Sequence, residues 1–115
     1  MSFGPVDYVQ HIVAEVEYLL EASAGVDATA FFGDATLQRA FIRSLEIIGE
    51  ATKRLPAEFR ARHREVDWRG MAGMRDRLIR GCFGVDLELV WDVVLNRIPE
   101  LHRALVPLLP SSERP

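Results

Sequence analysis

Apolar residues recur at spacings of three and four along most of this 115-residue chain, which is the repeat of helices that bury one face. No segment alternates apolar and polar residues with period two, and no Asn-Gly or Asp-Gly hairpin turn occurs. The pattern predicts an all-α, up-and-down bundle of four main helices with one or two short ones. We expect a single domain over residues 1–115, with a frayed tail from about residue 110. The first apolar stripe consists of Val6, Val9, Val13, Val16 and Leu20.

Proline, glycine and capping residues predict the ends of the first two helices. Pro5 suits a first helical turn, and Gly25 is expected to end that helix. Asp34 can cap a second helix, which runs from about Ala35 to Leu55.

The same signals divide the second half of the chain. Asp67 is the predicted cap of a third helix, which Gly81 breaks. Asp86 can cap a fourth, apolar helix containing Trp91. Pro99 is expected to interrupt it before a last, shorter helix.

Two local features predict close packing between elements. Phe31 and Phe32 lie in the segment before Asp34, which reads as a loop anchored by both rings. Gly49 interrupts the second helix with a residue that costs about 1 kcal/mol relative to alanine. Its expected benefit is the close approach of another helix.

Composition restricts the classes of protein. The chain is 49% hydrophobic and 27% charged, which argues against wholesale disorder. Its net charge of -3 means that any nucleic-acid contact needs a local basic patch. No apolar run reaches the roughly 18–20 residues of a membrane span, so no membrane association is expected. One cysteine and no signal-peptide pattern predict a reducing cytoplasm.

Familiar catalytic and metal-binding motifs are absent from the sequence. There is no Gly-rich phosphate loop and no Cys/His cluster, so neither a cofactor nor a metal is predicted. His11, His63 and His102 are far apart and are expected at the surface. The basic turn around His63 could contact phosphate or could simply be solvated; it contains Arg60, Arg62 and Arg64.

The stretch "MAGMRDRLIRGCFGVD", residues 71–86, places three arginines around the single cysteine. Arginine carries a permanent charge and a rigid fork of donors that suits phosphate. The stretch therefore predicts either a helix end that binds an RNA backbone or an ion-paired helix face. Under the second hypothesis Glu46 and Glu50, one turn apart, are the partners of Arg75 or Arg77.

The blocks "SLEIIGEATKRL", "VDWRGMAGMRDRLIRGCFGVDLELVWDVV" and "IPEL" closely resemble the HepT family of HEPN-domain proteins. These are the toxin halves of type VII HEPN/MNT toxin–antitoxin modules. The resemblance implies an all-α homodimer and a metal-independent ribonuclease acting on mRNA or tRNA. It also implies a minimal nucleotidyltransferase antitoxin, which silences the toxin by transferring AMP to a tyrosine.

The family signature is an arginine, four residues, a histidine, any residue and a tyrosine, beside the dimer cleft. The resemblance places the phosphate-binding arginine at Arg75 and the following polar position at Asp76. Arg80 stands at the histidine position and Cys82 at the tyrosine position. Arg77, between them, is a further candidate RNA contact.

These two departures predict impaired catalysis. Cleavage through the ribose 2′-OH needs groups that take up and release protons, which histidine does near neutral pH. Arginine cannot be deprotonated in proteins, and losing one proton-transfer group typically costs about 10²–10⁴-fold in rate. Cys82 lacks the phenolic oxygen that would accept AMP, and is either a reactive thiol beside arginines or a small packing residue. The alternative reading is a non-catalytic dimeric protein that binds RNA or pairs with the nucleotidyltransferase.

Overall fold

The computed structural model describes residues 4–79 and 84–115 and confirms the all-α prediction. Within those residues no strand forms, and the extended pairing is limited to one isolated antiparallel bridge, Ile79 with Val85. Short 3₁₀ turns follow the last helix. The helices are α1 (Pro5–Ser23), α2 (Ala28–Phe32), α3 (Ala35–Lys53), α4 (Ala57–Arg62), α5 (Trp68–Ala72), α6 (Met74–Leu78), α7 (Leu87–Asp92) and α8 (Ile98–Leu105).

Helix α3 is the centre of the molecule. It packs most extensively against α1, and it also contacts α2, α5, α6 and α7, while α1 packs on α8 as well. The buried face of α3 includes Phe41, Leu45 and Ile48, each fully covered. On α1 the buried stripe is centred slightly differently from the predicted one, since Ile12 and Leu19 are fully buried. The central apolar face of α3 is therefore covered within one copy of the chain.

Three aspartates cap helices as predicted. Asp34, Asp67 and Asp86 each accept a hydrogen bond from the backbone N–H three residues later, at 3.0–3.1 Å. A side chain in this position satisfies one of the N–H groups that the first helical turn leaves without an intrahelical partner. These caps fix where α3, α5 and α7 begin.

The segment before α3 is not the predicted loop but a short helix, α2. Asp27 caps it by accepting from the Ala30 N–H at 2.8 Å. Phe31 is fully buried, with its ring stacked on Phe41 at 5.4 Å and on Trp91 at 4.9 Å. Phe32 is 42% exposed, so only one of the two aromatic residues anchors the segment in the core.

The predicted third helix is divided at Gly73 into α5 and α6, and it ends at Leu78 rather than at Gly81. Gly73 has ψ of 2°, which turns the chain out of the helical path. The buried side chains Met71, Met74 and Leu78 still face the core as predicted. The apolar spacing is thus satisfied by two short helices meeting at an elbow.

Pro99 does not interrupt the last helical segment, contrary to expectation. A π-helical turn, Val93–Arg97, precedes it, and the Ile98 N–H bonds to the Val93 carbonyl five residues back. The wider turn shifts the hydrogen-bond ladder just before the proline, whose ring and missing N–H would otherwise disturb a regular helix. Helical structure therefore continues from α7 through α8.

The last residues are exposed and make a short 3₁₀ turn, Ser111–Glu113. Arg114 donates hydrogen bonds to the carbonyls of Leu109 and Pro107, at 3.0 and 2.8 Å.

Among the described residues, no helix is both long enough and apolar enough to cross a membrane.

Candidate functional site

The site is built where the elbow of α5 and α6 lies across α3 at Gly49. A Cβ atom at Gly49 would lie 3.2 Å from the Met71 carbonyl oxygen and 3.7 Å from that of Ala72. The first distance is shorter than ordinary van der Waals contact. Gly49 thus allows the backbones to approach closely, which confirms the packing predicted for it.

Arg75, on α6, reaches back over α3. Its Nε lies 3.7 Å from Oε2 of Glu46, and Arg43 Nη1 lies 3.9 Å from the same oxygen. This confirms the predicted ion pair for Arg75. The Arg75 side chain is 55% exposed, so the pair is screened by solvent and contributes at most about 1 kcal/mol. Glu46 is thus shared by two arginines, and neither contact is within hydrogen-bond distance.

Arg77 points away from Arg75. Two residues along a helix correspond to a rotation of about 200°, and Arg77 donates from Nη2 to the Gly70 carbonyl at 2.8 Å. It lines a cavity of about 130 Å³ between α5, α6 and α8, with Arg97 and Glu100 at the same opening. Arg75 and Arg77 therefore do not converge on one anion, and the ion pair predicted for either of them is made by Arg75.

The structure shows fewer contacts for the other predicted site residues. Asp76, next to Arg75, is exposed, as is Glu50 on α3. Arg80 and Cys82 lie outside the described residues. On either side of them, Ile79 bridges to Val85, and the Asp86 N–H donates to the Leu78 carbonyl at 2.8 Å. The described residues that flank these two positions therefore meet at the end of α6.

Two histidines have structural contacts away from α6. His102 Nε2 lies 3.2 Å from Glu17 Oε2, between α8 and α1. The His63 ring packs on Phe59 with 4.6 Å between centroids, and its Nδ1 is 3.6 Å from Glu65. Among the described residues no group of three or more His, Cys, Asp or Glu is arranged to hold a metal.

The structure shows a second basic surface, made by a different set of arginines from the one that the sequence predicted. Arg60 and Arg64 line an open groove of about 810 Å³ together with Arg69, from the next helix. Sequence alone grouped Arg60 and Arg64 with Arg62, which does not line the groove. Arg69 was missed because it joins them only through tertiary contact between the two helices, where the rings of Phe59 and Trp68 lie 6.1 Å apart.

Comparison with known proteins finds relatives along most of the chain. The family described as ribonuclease HepT-like matches residues 12–108. A protein of Caldanaerobacter subterraneus subsp. tengcongensis, named "Putative RNase TTE0752", is 48% identical over 105 residues, covering 91% of this chain and 94% of that protein. The "Probable ribonuclease HepT" of Thermococcus cleftensis is 43% identical over 95 residues, covering 83% and 86%.

A third relative, "Putative RNase MJ0127" of Methanocaldococcus jannaschii, is 38% identical over 92 residues, covering 80% of this chain and 76% of its own length. No solved structure matches the chain. The family match spans nearly all of the helical fold, including α3 and the α5–α6 elbow that carry the candidate site. The chain belongs to the HepT-like ribonuclease family.

Proposed function

We propose that this chain is the RNA-binding, toxin-type component of a HEPN/MNT module, with RNA cleavage impaired by Arg80 and Cys82. The observation that carries the proposal is the state of Arg75, the residue at the family's phosphate-binding position. Its side chain is more than half exposed on a one-turn helix that is fixed by buried Met74 and Leu78. A permanently charged guanidinium on a helix that is fixed by core packing is suited to binding phosphate.

The contact with Glu46 leaves Arg75 available to an anion. The carboxylate faces Nε, and at 3.7 Å it is beyond hydrogen-bond distance. No other carboxylate of residues 4–79 and 84–115 lies within 4.0 Å of this guanidinium. Arg75 can therefore present its terminal nitrogens to a phosphate while Glu46 limits the range of its side chain.

The proton-transfer step is where this chain differs from its family. Arg80 can stabilise the charge of a pentacovalent phosphorane but cannot remove the 2′-OH proton. His63 and His102 lie on other parts of the fold, where they contact Glu65 and Glu17 respectively. Neither of them supplies a replacement base beside Arg75 in the described structure. RNA binding is therefore expected to persist while cleavage is slow.

A cleavage assay on total RNA and tRNA, with EDTA present to exclude metal-dependent nucleases, tests this proposal. Arg80→His should raise the rate at least tenfold, within the usual range for an acid–base group. Cys82→Tyr is the matched control, because it changes the other signature position without adding a proton-transfer group near neutral pH. Equal rates for the unaltered chain and Arg80→His would reject the assignment of position 80 to proton transfer.

The partners in this proposal are a second copy of the chain and a nucleotidyltransferase antitoxin in the cytoplasm. The second candidate function is a non-catalytic dimeric protein that retains these partners and cleaves nothing. The specific observation in its favour is that both Arg80 and Cys82 depart from the family signature. Expression in cells separates the two: growth arrest by the unaltered chain supports the toxin, whereas arrest only by Arg80→His, Cys82→Tyr supports the non-catalytic protein.

A further inference from the structure

The groove between α4 and α5 has three arginines on its walls. Arg64 and Arg69 are exposed, and Arg60 is half-buried. None of the three lies within 4.0 Å of a carboxylate in the part of the chain that the structure describes. Arg60 Nε is covered from solvent and has no acceptor there. A buried donor without a partner is uncommon in native proteins, and the three arginines give the groove a net positive charge on a chain whose net charge is -3.

The two carboxylates that line the groove contact nitrogen atoms other than those of its arginines. Asp67 caps α5 through the Gly70 N–H at 3.0 Å. Glu65 lies 3.6 Å from His63 Nδ1. Neither carboxylate is paired with an arginine of the groove, and the three arginines outnumber the two carboxylates in its lining, so the groove is net positive.

The groove lies beside Arg75 along the chain. Arg69, on the groove wall, belongs to α5, and Arg75 belongs to α6, which follows α5 at the Gly73 elbow. Ala72, the last residue of α5, also lines the groove. Exposed arginines on two consecutive short helices favour a ligand that carries several phosphates in a row.

We propose that the α4–α5 groove, with Arg60, Arg64 and Arg69, binds the phosphate backbone of the same RNA strand that Arg75 contacts. The inference rests on the proposed function, because it extends the RNA path away from Arg75. Binding in the groove is independent of base sequence. Trp68 is only 6% exposed and donates its indole N–H to the His63 carbonyl, so it offers no open ring face for base stacking.

Fluorescence anisotropy with a labelled single-stranded oligouridylate, measured over a range of salt concentrations, tests the groove. The variant is Arg64→Gln, Arg69→Gln, which leaves the half-buried Arg60 in place. Its matched control is Arg39→Gln, Arg103→Gln, which removes the same charge from exposed positions outside the groove. The groove variant should bind about tenfold more weakly, and its slope of log K against log salt should fall by roughly 1.4 for two lost phosphate contacts. The control variant should bind within about twofold of the unaltered chain, because it loses no phosphate contact.

The outcomes separate this inference from the proposed function. If the groove and control variants weaken RNA binding equally, the groove is not the RNA path, although the chain remains an RNA-binding protein. If neither the unaltered chain nor Arg80→His binds RNA, the proposed function fails and the inference with it. Unchanged RNA binding with weakened association to the nucleotidyltransferase would make the groove a protein-docking surface instead. Circular dichroism and melting temperature confirm that both variants are folded.

Turnover in the Arg80→His background gives a second readout. A groove that only holds the strand should raise KM when Arg64 and Arg69 are replaced and leave kcat unchanged, since the groove does not contact the reacting atoms. A fall in kcat with unchanged KM would contradict a binding role for the groove.

Discussion

Glu46 sets the electrostatic environment of Arg75 at the scale of single residues. Its carboxylate lies within 4.0 Å of both Arg75 and Arg43, and it repels any phosphate that approaches the same guanidinium. The ion pair orients Arg75 but opposes anion binding. Because both side chains are partly exposed, salt should reduce this opposition.

Glu46→Gln should therefore tighten RNA binding about three- to tenfold at low salt, with the difference shrinking as salt rises. Glu50→Gln is the control, because it removes the same charge from an exposed position one turn away on α3. Anisotropy titrations of both variants measure the effect. Weaker binding by Glu46→Gln would mean that orienting Arg75 matters more than the repulsion.

The residue at position 82 determines a second prediction. AMP transfer to this chain should fail or be greatly reduced, because Cys82 replaces the expected acceptor tyrosine and its thiol lacks the phenolic oxygen. Incubation with the cognate nucleotidyltransferase and ATP, followed by intact mass spectrometry, measures the adduct. Cys82→Tyr is the positive control. A stoichiometric adduct on the unaltered chain within residues 75–86 would contradict the prediction.

Among the secondary-structure elements, the crossing of α3 with the α5–α6 elbow positions the site. The approach at Gly49 sets how close Arg75 lies to Glu46, and buried Met71 and Met74 hold the elbow in place. The elbow itself depends on Gly73, whose backbone turns between the two short helices. A change at the crossing should therefore affect stability and RNA binding together.

Gly49→Val should destabilise the fold by about 1–3 kcal/mol, because a branched Cβ is forced against the Met71 carbonyl. Gly49→Ala should cost much less, since the gain in helix propensity of about 1 kcal/mol offsets the tight contact. Urea denaturation of both variants measures the difference. If valine proved as stable as alanine, the close approach would not be what requires glycine here.

At the scale of the whole molecule, one copy of the chain covers most of its large apolar side chains. Trp91, in the predicted fourth, apolar helix, is only 9% exposed and stacks on Phe31. The large apolar side chains that remain exposed in the described residues are Tyr18, Phe32 and Leu95. The proposal of a homodimer is therefore supported by the family resemblance and not by a surplus of apolar helix faces.

Light scattering at micromolar concentration should give twice the monomer mass of 13.0 kDa. The family resemblance places Arg75 of each subunit beside a shared cleft, so dimerisation should also increase the positive charge that faces RNA. Dilution through the dissociation range should reduce mass and RNA affinity together. A mass of 13.0 kDa at every concentration would contradict the proposal.

The sequence by itself determined the features that depend on neighbours within about one helical turn. The helical repeat predicted the all-α class, and Asp34, Asp67 and Asp86 were identified as caps because each bonds to a backbone N–H only three residues away. The backbone approach at Gly49 was also predictable, since glycine in a helix interior is otherwise unfavourable. The phosphate-binding role of Arg75 stays a prediction from the family resemblance.

Tertiary structure alone decided which of several chemically similar residues took each role. Phe31 rather than Phe32 is buried because its ring lies between Phe41 and Trp91 from other helices. Arg75 rather than Arg77 meets Glu46 because α6 presents the two arginines on different sides after the elbow at Gly73. The groove arginines come together where Phe59 of α4 contacts Trp68 of α5. Spacing along one helix carries no information about these contacts, since they depend on the relative orientation of separate elements.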